Sequence, residues 1–100
     1  MYKKKGQIMG KWLNCIIYPG LFDEEFAVEG NLFDGTGFSL FAEKEDLRYN
    51  EEPAPNKPVN ALIRVVPGLQ KDDLLLVTLP KPTFENGQTI TVKTNQVKDL

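Results

Sequence analysis

Apolar residues alternate with polar ones along most of the chain, and this period of two predicts β-strands rather than helices. Glycine and proline interrupt the alternation at short intervals, for example at Pro19-Gly20, Gly35 and Pro67-Gly68. Helices of normal length do not fit between these interruptions, whereas strands do. The pattern shows no internal repeat. The sequence therefore predicts an all-β protein.

Six segments rich in β-branched and aromatic residues are predicted to be strands. They span residues 7–18, 26–33, 38–43, 60–66, 74–79 and 88–97. The first is apolar on both of its faces, which suits a long strand that bends through a barrel. The fifth is also apolar on both faces, and this pattern predicts a central position in the sheet.

The hairpin between the second and third strands is predicted from its hydrophobic register. The dipeptide Asp34-Gly35 favours a two-residue turn, but that turn would divide four large apolar side chains between two faces. Burying each of them contributes about 1.5–3 kcal/mol, against about 1 kcal/mol for a local preference. The four side chains to be kept on one face are Val28, Leu32, Phe38 and Leu40. We therefore predict an odd-length loop, Gly35-Thr36-Gly37, with Gly37 left-handed at a bulge.

The length of 100 residues fits one domain. We predict a small antiparallel barrel or strongly bent sheet of five to six strands, OB-like or SH3-like in shape. Residues 1–6 are predicted to be a flexible basic N-terminus. At most one short helical turn is expected, between Glu43 and Tyr49, and the proline-rich segment after it is expected to be an exposed loop.

Charge is unevenly distributed along a chain whose net charge is only −2. The cations Lys3, Lys4, Lys5 and Lys11 stand at the N-terminus without an acid among them, while most of the acids lie in the first half. No signal peptide and no membrane-spanning stretch is visible, and a single cysteine argues against a secreted disulfide scaffold. We expect a soluble cytoplasmic protein that does not engage a membrane.

Catalytic chemistry finds little support in the residue types present. The chain has no histidine, which removes the commonest general base and metal ligand. Cys15 lies in the middle of an apolar strand and is predicted to be a small buried hydrophobe rather than a nucleophile. The acidic run 23–25 lacks the spacing of a cation-binding loop. We expect no enzyme activity, no cofactor and no metal site.

Aromatic side chains on the outward parity of the strands are the best candidates for a binding surface. The predicted partner-binding residues are Trp12, Tyr18, Phe22, Phe33, Phe41 and Lys11. They predict a non-enzymatic interaction module that binds a protein partner or itself, so that a homo-oligomer is expected. The alternative is a small barrel that binds single-stranded nucleic acid, with the N-terminal lysines contributing charge. A small-ligand-binding domain is a third, less favoured reading.

Overall fold

The computed structural model describes residues 10–99, and in this range the chain forms one eight-stranded antiparallel sheet and no α-helix. The strands are β1 (Lys11–Pro19), β2 (Glu25–Asn31), β3 (Gly37–Glu43), β4 (Leu47–Arg48), β5 (Val59–Lys71), β6 (Leu74–Thr83), β7 (Gly87–Lys93) and β8 (Val97–Lys98). Single 3₁₀ turns at Lys44–Asp46 and Thr94–Gln96 precede β4 and β8. The predicted all-β, bent-sheet fold is confirmed. The expected flexible N-terminus, with Lys3, Lys4 and Lys5, lies outside the described residues.

Four predicted element boundaries are wrong. Strand β5 continues through Pro67-Gly68, and β6 continues through Pro80 and Pro82, although these residues were expected to end strands. Both ladders are irregular there, because the register shifts between Pro67 and Gln70 and between Thr78 and Thr83. A proline at such an irregularity removes no regular ladder hydrogen bond.

The other two boundary errors concern the 3₁₀ turns. The predicted helical turn between Glu43 and Tyr49 is reduced to Lys44–Asp46 and is followed by β4. The last predicted strand is divided by the turn at Thr94–Gln96. Both turns contribute few hydrogen bonds of their own, and the short strands that follow are held by cross-strand pairing rather than by local preference.

The β2–β3 hairpin has an odd-length loop, as its hydrophobic register predicts, but the loop is not the predicted Gly35-Thr36-Gly37, because Gly37 already pairs with Asn31 in the sheet. Val28 pairs with Leu40, and the loop is closed by a hydrogen bond from the Leu32 amide to the Thr36 carbonyl oxygen, 2.8 Å. The left-handed residue is Gly35, with φ of 88°, so its placement at Gly37 was wrong. The Thr36 amide donates to Asp34 Oδ1 across 3.0 Å, which centres the turn on Asp34-Gly35.

The sheet is built from two copies of the same arrangement, and the expectation of no internal repeat is therefore wrong. The main strand order is β3-β2-β1-β5-β6-β7, which is symmetric about the junction of β1 and β5. Each half consists of three antiparallel strands in sequence, a 3₁₀ turn and a two-residue strand. That last strand crosses to the other half: β4 pairs with β5, and β8 pairs with β1. An approximate two-fold axis relates the halves.

Traces of this repeat are visible in the sequence once the topology is known. Pro19-Gly20-Leu21 stands at the end of β1, and Pro67-Gly68-Leu69 stands at the register shift of β5, the first strand of the other half. Glu24 and Asp72 both adopt positive φ, 65° and 57°, before the second strand of each half. The spacing between corresponding residues varies, which hides the repeat from inspection of the sequence alone.

The hairpin tips close both edges of the sheet. The Phe33 amide donates to the Thr91 carbonyl oxygen of edge strand β7, 3.0 Å, and the Phe84 amide donates to the Ser39 carbonyl oxygen of edge strand β3, 2.9 Å. The Ser39 hydroxyl also donates to Glu85, 2.6 Å. Each half thus satisfies backbone groups on the edge of the other, so the sheet curls into a half-barrel with capped edges.

The core fills the concave side of this half-barrel and draws on both halves. Leu13, Ile17, Val28, Phe38, Leu40, Ile63, Val65, Val77, Leu79 and Val92 are fully buried. Because side chains alternate between the faces of a strand, the remaining positions of the same strands point to the convex side. Cys15 belongs to the core, as predicted. The convex side of the two central strands is where a binding surface is available.

Candidate functional site

The convex face at the two-fold axis is made of β8, β1, β5 and β4, in that order. Residues that pair directly across antiparallel strands lie on the same face. The pairings produce two parallel rows, Lys98–Trp12–Arg64 and Asn14–Leu62–Arg48. We call these six residues the axial face. Each row ends at a cation on a short outer strand, Lys98 on β8 or Arg48 on β4. The residue paired with that cation is apolar, Trp12 or Leu62 respectively.

Trp12 is the centre of the axial face. The Arg48 guanidinium carbon lies 4.7 Å from the centroid of the Trp12 ring, and that of Arg64 lies 5.9 Å away. At these distances the ring attracts both cations, an interaction of about 0.5–1 kcal/mol where exposed. The indole therefore holds the two guanidinium groups in place beside its half-buried ring.

Hydrogen bonds fix one of these arginines and leave the other available. Arg64 Nη2 donates to the Glu45 carbonyl oxygen at 2.8 Å and forms an ion pair with Asp46 at 3.1 Å. Within residues 10–99, Arg48 and Lys98 form no ion pair. The axial face consequently carries two positive charges that form no ion pair among the described residues, although Glu51 and Glu52 share a neighbouring groove with Arg48.

A shallow groove of about 320 Å³ crosses the axial face. Two cations, three asparagines and three less polar residues line it: Arg48, Lys98, Asn14, Asn50, Asn60, Tyr49, Ala61 and Leu62. An amide side chain offers two donors and an acceptor, which is the complement of a peptide backbone. The groove thus combines an apolar floor, neutral hydrogen-bonding groups and two cations, with no acidic residue in its lining among residues 10–99.

A larger groove of about 600 Å³ lies beside the axial face but is chemically less defined. Its lining combines Lys44 and Arg48 with Glu51 and Glu52, so the charges of the two signs balance. The Tyr49 hydroxyl is buried there without a hydrogen-bond partner among residues 10–99. This mixed lining favours no one class of ligand.

The residues predicted to bind a partner do not form one patch. Trp12 belongs to the axial face, whereas Tyr18 stands six residues further along β1, about 20 Å away in an extended strand. Tyr18 shares a cross-strand row with Ala27 and Phe41, and its hydroxyl donates to Glu29 at 3.0 Å. That hydrogen bond raises the pKa of Tyr18.

The other four predicted residues lie in four separate places. Phe22 is exposed in the loop after β1, and Phe33 is partly exposed at the β2–β3 hairpin tip. Phe41 is half-buried because Phe84 packs against it edge to face, with the ring centroids 5.6 Å apart. Lys11 is bound to Asp99 at 2.8 Å, which neutralises its charge.

Three cationic site residues were missed by sequence reasoning: Arg48, Arg64 and Lys98. Arg48 was placed in a helical turn, and Lys98 follows the last predicted strand. Only the pairing of β4 with β5 and of β8 with β1 brings them to Trp12. The alternation in its strand places Arg64 on the outward face, but the sequence does not show that Trp12 lies opposite it on β1.

Other chemistry in residues 10–99 is sparse. Burial raises the pKa of the Cys15 thiol to about 12, so the nucleophilic thiolate is absent near neutral pH. In this part of the chain no group of three or more acidic, cysteine or histidine side chains is placed to hold a metal ion. None of the described segments forms a helix with the length and apolarity needed to span a membrane.

Comparison with protein-family models, with curated proteins and with solved structures finds no match for this chain. The function must therefore be argued from the geometry of the axial face.

Proposed function

We propose that the protein is a non-enzymatic interaction module that binds an acidic segment of a partner protein through the axial face. The observation that carries this proposal is the convergence of Arg48 and Arg64 on the Trp12 ring, with Lys98 in the same row. Guanidinium groups bind carboxylates in a planar, bidentate manner, and prior positioning by the ring lowers the entropic cost of that contact.

The charge distribution supports an anionic partner. The chain has a net charge of −2, yet Arg48 and Lys98 on the axial face have no acidic partner within residues 10–99. A positive face on an acidic body steers anionic ligands to that face and repels them elsewhere. Such charge complementarity contributes more to specificity than to tight binding. Because salt screens exposed charges, we expect the affinity to fall as the salt concentration rises.

A protein segment fits this face better than a single-stranded nucleic acid. Base stacking requires an open aromatic ring, and here guanidinium groups already lie beside the Trp12 ring. The groove next to it is lined mainly by asparagines and Leu62, and its one aromatic residue within 10–99, Tyr49, is half-buried rather than an open stacking platform. Nucleic-acid binding is the second candidate function because the axial face is cationic.

Self-association by strand pairing is disfavoured by the capped edges. The Phe33 and Phe84 amides already bond the edge strands β7 and β3. A second copy that extended the sheet over its full edge would have to displace the hairpin tip at Thr91 or at Ser39.

The proposal is tested by titration of the full chain with acidic peptides, using the fluorescence of Trp12, the only tryptophan. We expect saturable quenching or enhancement that weakens between roughly 50 and 500 mM NaCl, where the Debye length shrinks severalfold. Arg48→Gln should weaken binding at least about fivefold. The matched control is Lys71→Gln, which removes an exposed cation that lies off the axial face.

Three results would count against the proposal. Absence of any spectral change with acidic peptides at low salt would refute it. Equal loss of affinity in Lys71→Gln would show a non-specific charge effect. Binding of an oligothymidylate but not of acidic peptides would replace it with the nucleic-acid function.

A further inference from the structure

We infer that the groove across the axial face recognises an extended peptide in which one apolar residue lies between two acidic residues. This inference rests on the proposed function and specifies its ligand. It follows from three features of the groove: the chemistry of its floor, the distance between its cations, and its position on the two-fold axis.

The groove floor favours a peptide backbone with one apolar side chain. Leu62 is half-buried and provides an apolar contact between the cations. The amides of Asn14 and Asn60 are exposed in the same lining and can pair with backbone N–H and C=O groups of an extended segment. These contacts require that the peptide cross the strands of the sheet rather than add to an edge.

The spacing of the cations limits the separation of the acids. Arg48 on β4 and Lys98 on β8 are separated by β5 and β1, that is, by three inter-strand steps. At about 4.8 Å per step, and with the two rows offset by two residues along the strands, their Cα atoms lie about 16 Å apart. An extended peptide advances about 3.3 Å per residue, so it covers this distance in about five residues. Arg48 leans inward to Trp12, which shortens the span between the two charges, and a separation of four residues between the acids fits that shorter span.

The two-fold axis makes the two ends of the groove alike. Arg48 and Lys98 are each the second residue of a two-residue strand that follows a 3₁₀ turn, and so they occupy corresponding places in the two halves. A ligand whose charges are arranged symmetrically about its apolar residue therefore meets similar cations at both ends. A pattern with both acids on one side of the apolar residue leaves one cation unpaired.

The experiment compares peptides of identical composition on the full chain. The test peptide is Asp-Ala-Leu-Ala-Asp with neutral termini, and its control is Asp-Asp-Ala-Ala-Leu, both titrated at low salt with Trp12 fluorescence as the readout. We expect the test peptide to bind about tenfold more tightly, since the control loses one charge-assisted contact and the apolar contact. Replacing its leucine with serine should also weaken binding.

Protein variants then locate the contact. Lys98→Gln should reduce the preference for the test peptide to about twofold or less, because one end of the groove loses its charge. Asn60→Asp, which places an acid in an exposed part of the lining, should weaken both peptides. Lys71→Gln should leave the preference unchanged, and thermal melts of all variants confirm that they are folded.

The possible failures are distinguishable. If both peptides bind equally, or if Lys98→Gln leaves the preference intact, the inferred ligand pattern is wrong while the proposed function stands. If neither peptide binds, or if only an oligothymidylate binds, the proposed function fails together with the inference.

Discussion

The contact of Phe38 with Gly30 provides a stringent test of the packing described above. These residues face each other across β2 and β3, and the Phe38 ring lies over the glycine. A Cβ atom added at Gly30 would lie 2.5 Å from Cζ of the Phe38 ring and 2.7 Å from Cε2. Such distances are shorter than any van der Waals contact, so Gly30→Ala must displace the ring.

The cost of that displacement follows from the burial of the ring. Phe38 is 2% exposed and is surrounded by core side chains, so it cannot move outward without opening the core. Overpacking of this kind costs about 1–3 kcal/mol. The loss of backbone freedom in the unfolded chain offsets about 0.4–1 kcal/mol of this. We therefore expect Gly30→Ala to lower the free energy of unfolding by about 1–2 kcal/mol.

Urea denaturation followed by Trp12 fluorescence and circular dichroism measures the effect. With a slope of about 1–1.5 kcal/mol per molar urea for a domain of this size, the midpoint should fall by roughly 1 M. Gly37→Ala is the matched control in the same hairpin, because the nearest atom to its added Cβ would be the Gly30 carbonyl oxygen at 3.9 Å. The reasoning is refuted if the two variants unfold at the same urea concentration. In the double variant Gly30→Ala/Phe38→Leu, the smaller side chain should recover part of the loss.

Three further predictions address the repeat, the capped edge and the core thiol. A circular permutant that joins Asp99 to Gly10 and opens the loop between Asn50 and Pro58 should retain its fold with a loss of about 2 kcal/mol or less. The reason is that the antiparallel pairing of Trp12 with Lys98 places the two ends on adjacent strands, and the new gap takes the symmetric place of the old one. An unfolded permutant, judged by circular dichroism, would contradict the two-fold arrangement. Hydrogen bonds from the Ser39 hydroxyl and amide lower the pKa of Glu85. This carboxylate therefore stabilises the fold above its ordinary pKa of 4.5, and the contribution is lost as pH falls through the lower pKa of the folded state. Ser39→Ala should raise the Glu85 pKa in an NMR titration, and an unchanged pKa would show that the hydrogen bond from the Ser39 hydroxyl is not formed in solution. The Cys15 thiol should react with a disulfide reagent only after unfolding in urea, and rapid labelling of the native protein would show that strand β1 is not packed as described.

The alternation of apolar residues was sufficient to predict the main strands and the inner face of the sheet. Leu13, Cys15, Val28 and Leu40 all lie in the core, because the parity of a strand is a local property of the sequence. The odd loop of the β2–β3 hairpin followed from the same parity. The position of the left-handed residue in that loop did not follow from parity. The Thr36 amide donates to Asp34, and in this turn Gly35 is the residue with positive φ.

The candidate site was less accessible to sequence reasoning. Trp12 was identified from its parity, but its cationic neighbours come from strands of two residues whose own sequences give no periodicity. Such strands exist only because β5 and β1 offer them an unpaired stretch of backbone. The alternation of side chains shows which face of the sheet a residue is on, but not how far apart two residues on that face lie. The sequence therefore grouped Trp12 with four aromatic residues that lie elsewhere, namely Tyr18, Phe22, Phe33 and Phe41.

The location of the axis explains why the axial face can be asymmetric in charge while the core remains symmetric. Leu13 and Ile63 pair with each other, and each also pairs with the short strand of one half, Val97 and Leu47 respectively. The axis therefore passes between Leu13 and Ile63, whose inward side chains must both be apolar to fill the core. Their outward neighbours are under no such constraint. Trp12 corresponds to Leu62, and Asn14 corresponds to Arg64, so a tryptophan and an arginine stand in one row and a leucine and an asparagine in the other. A fold of two like halves thus provides a symmetric scaffold with one pair of unlike rows on its surface.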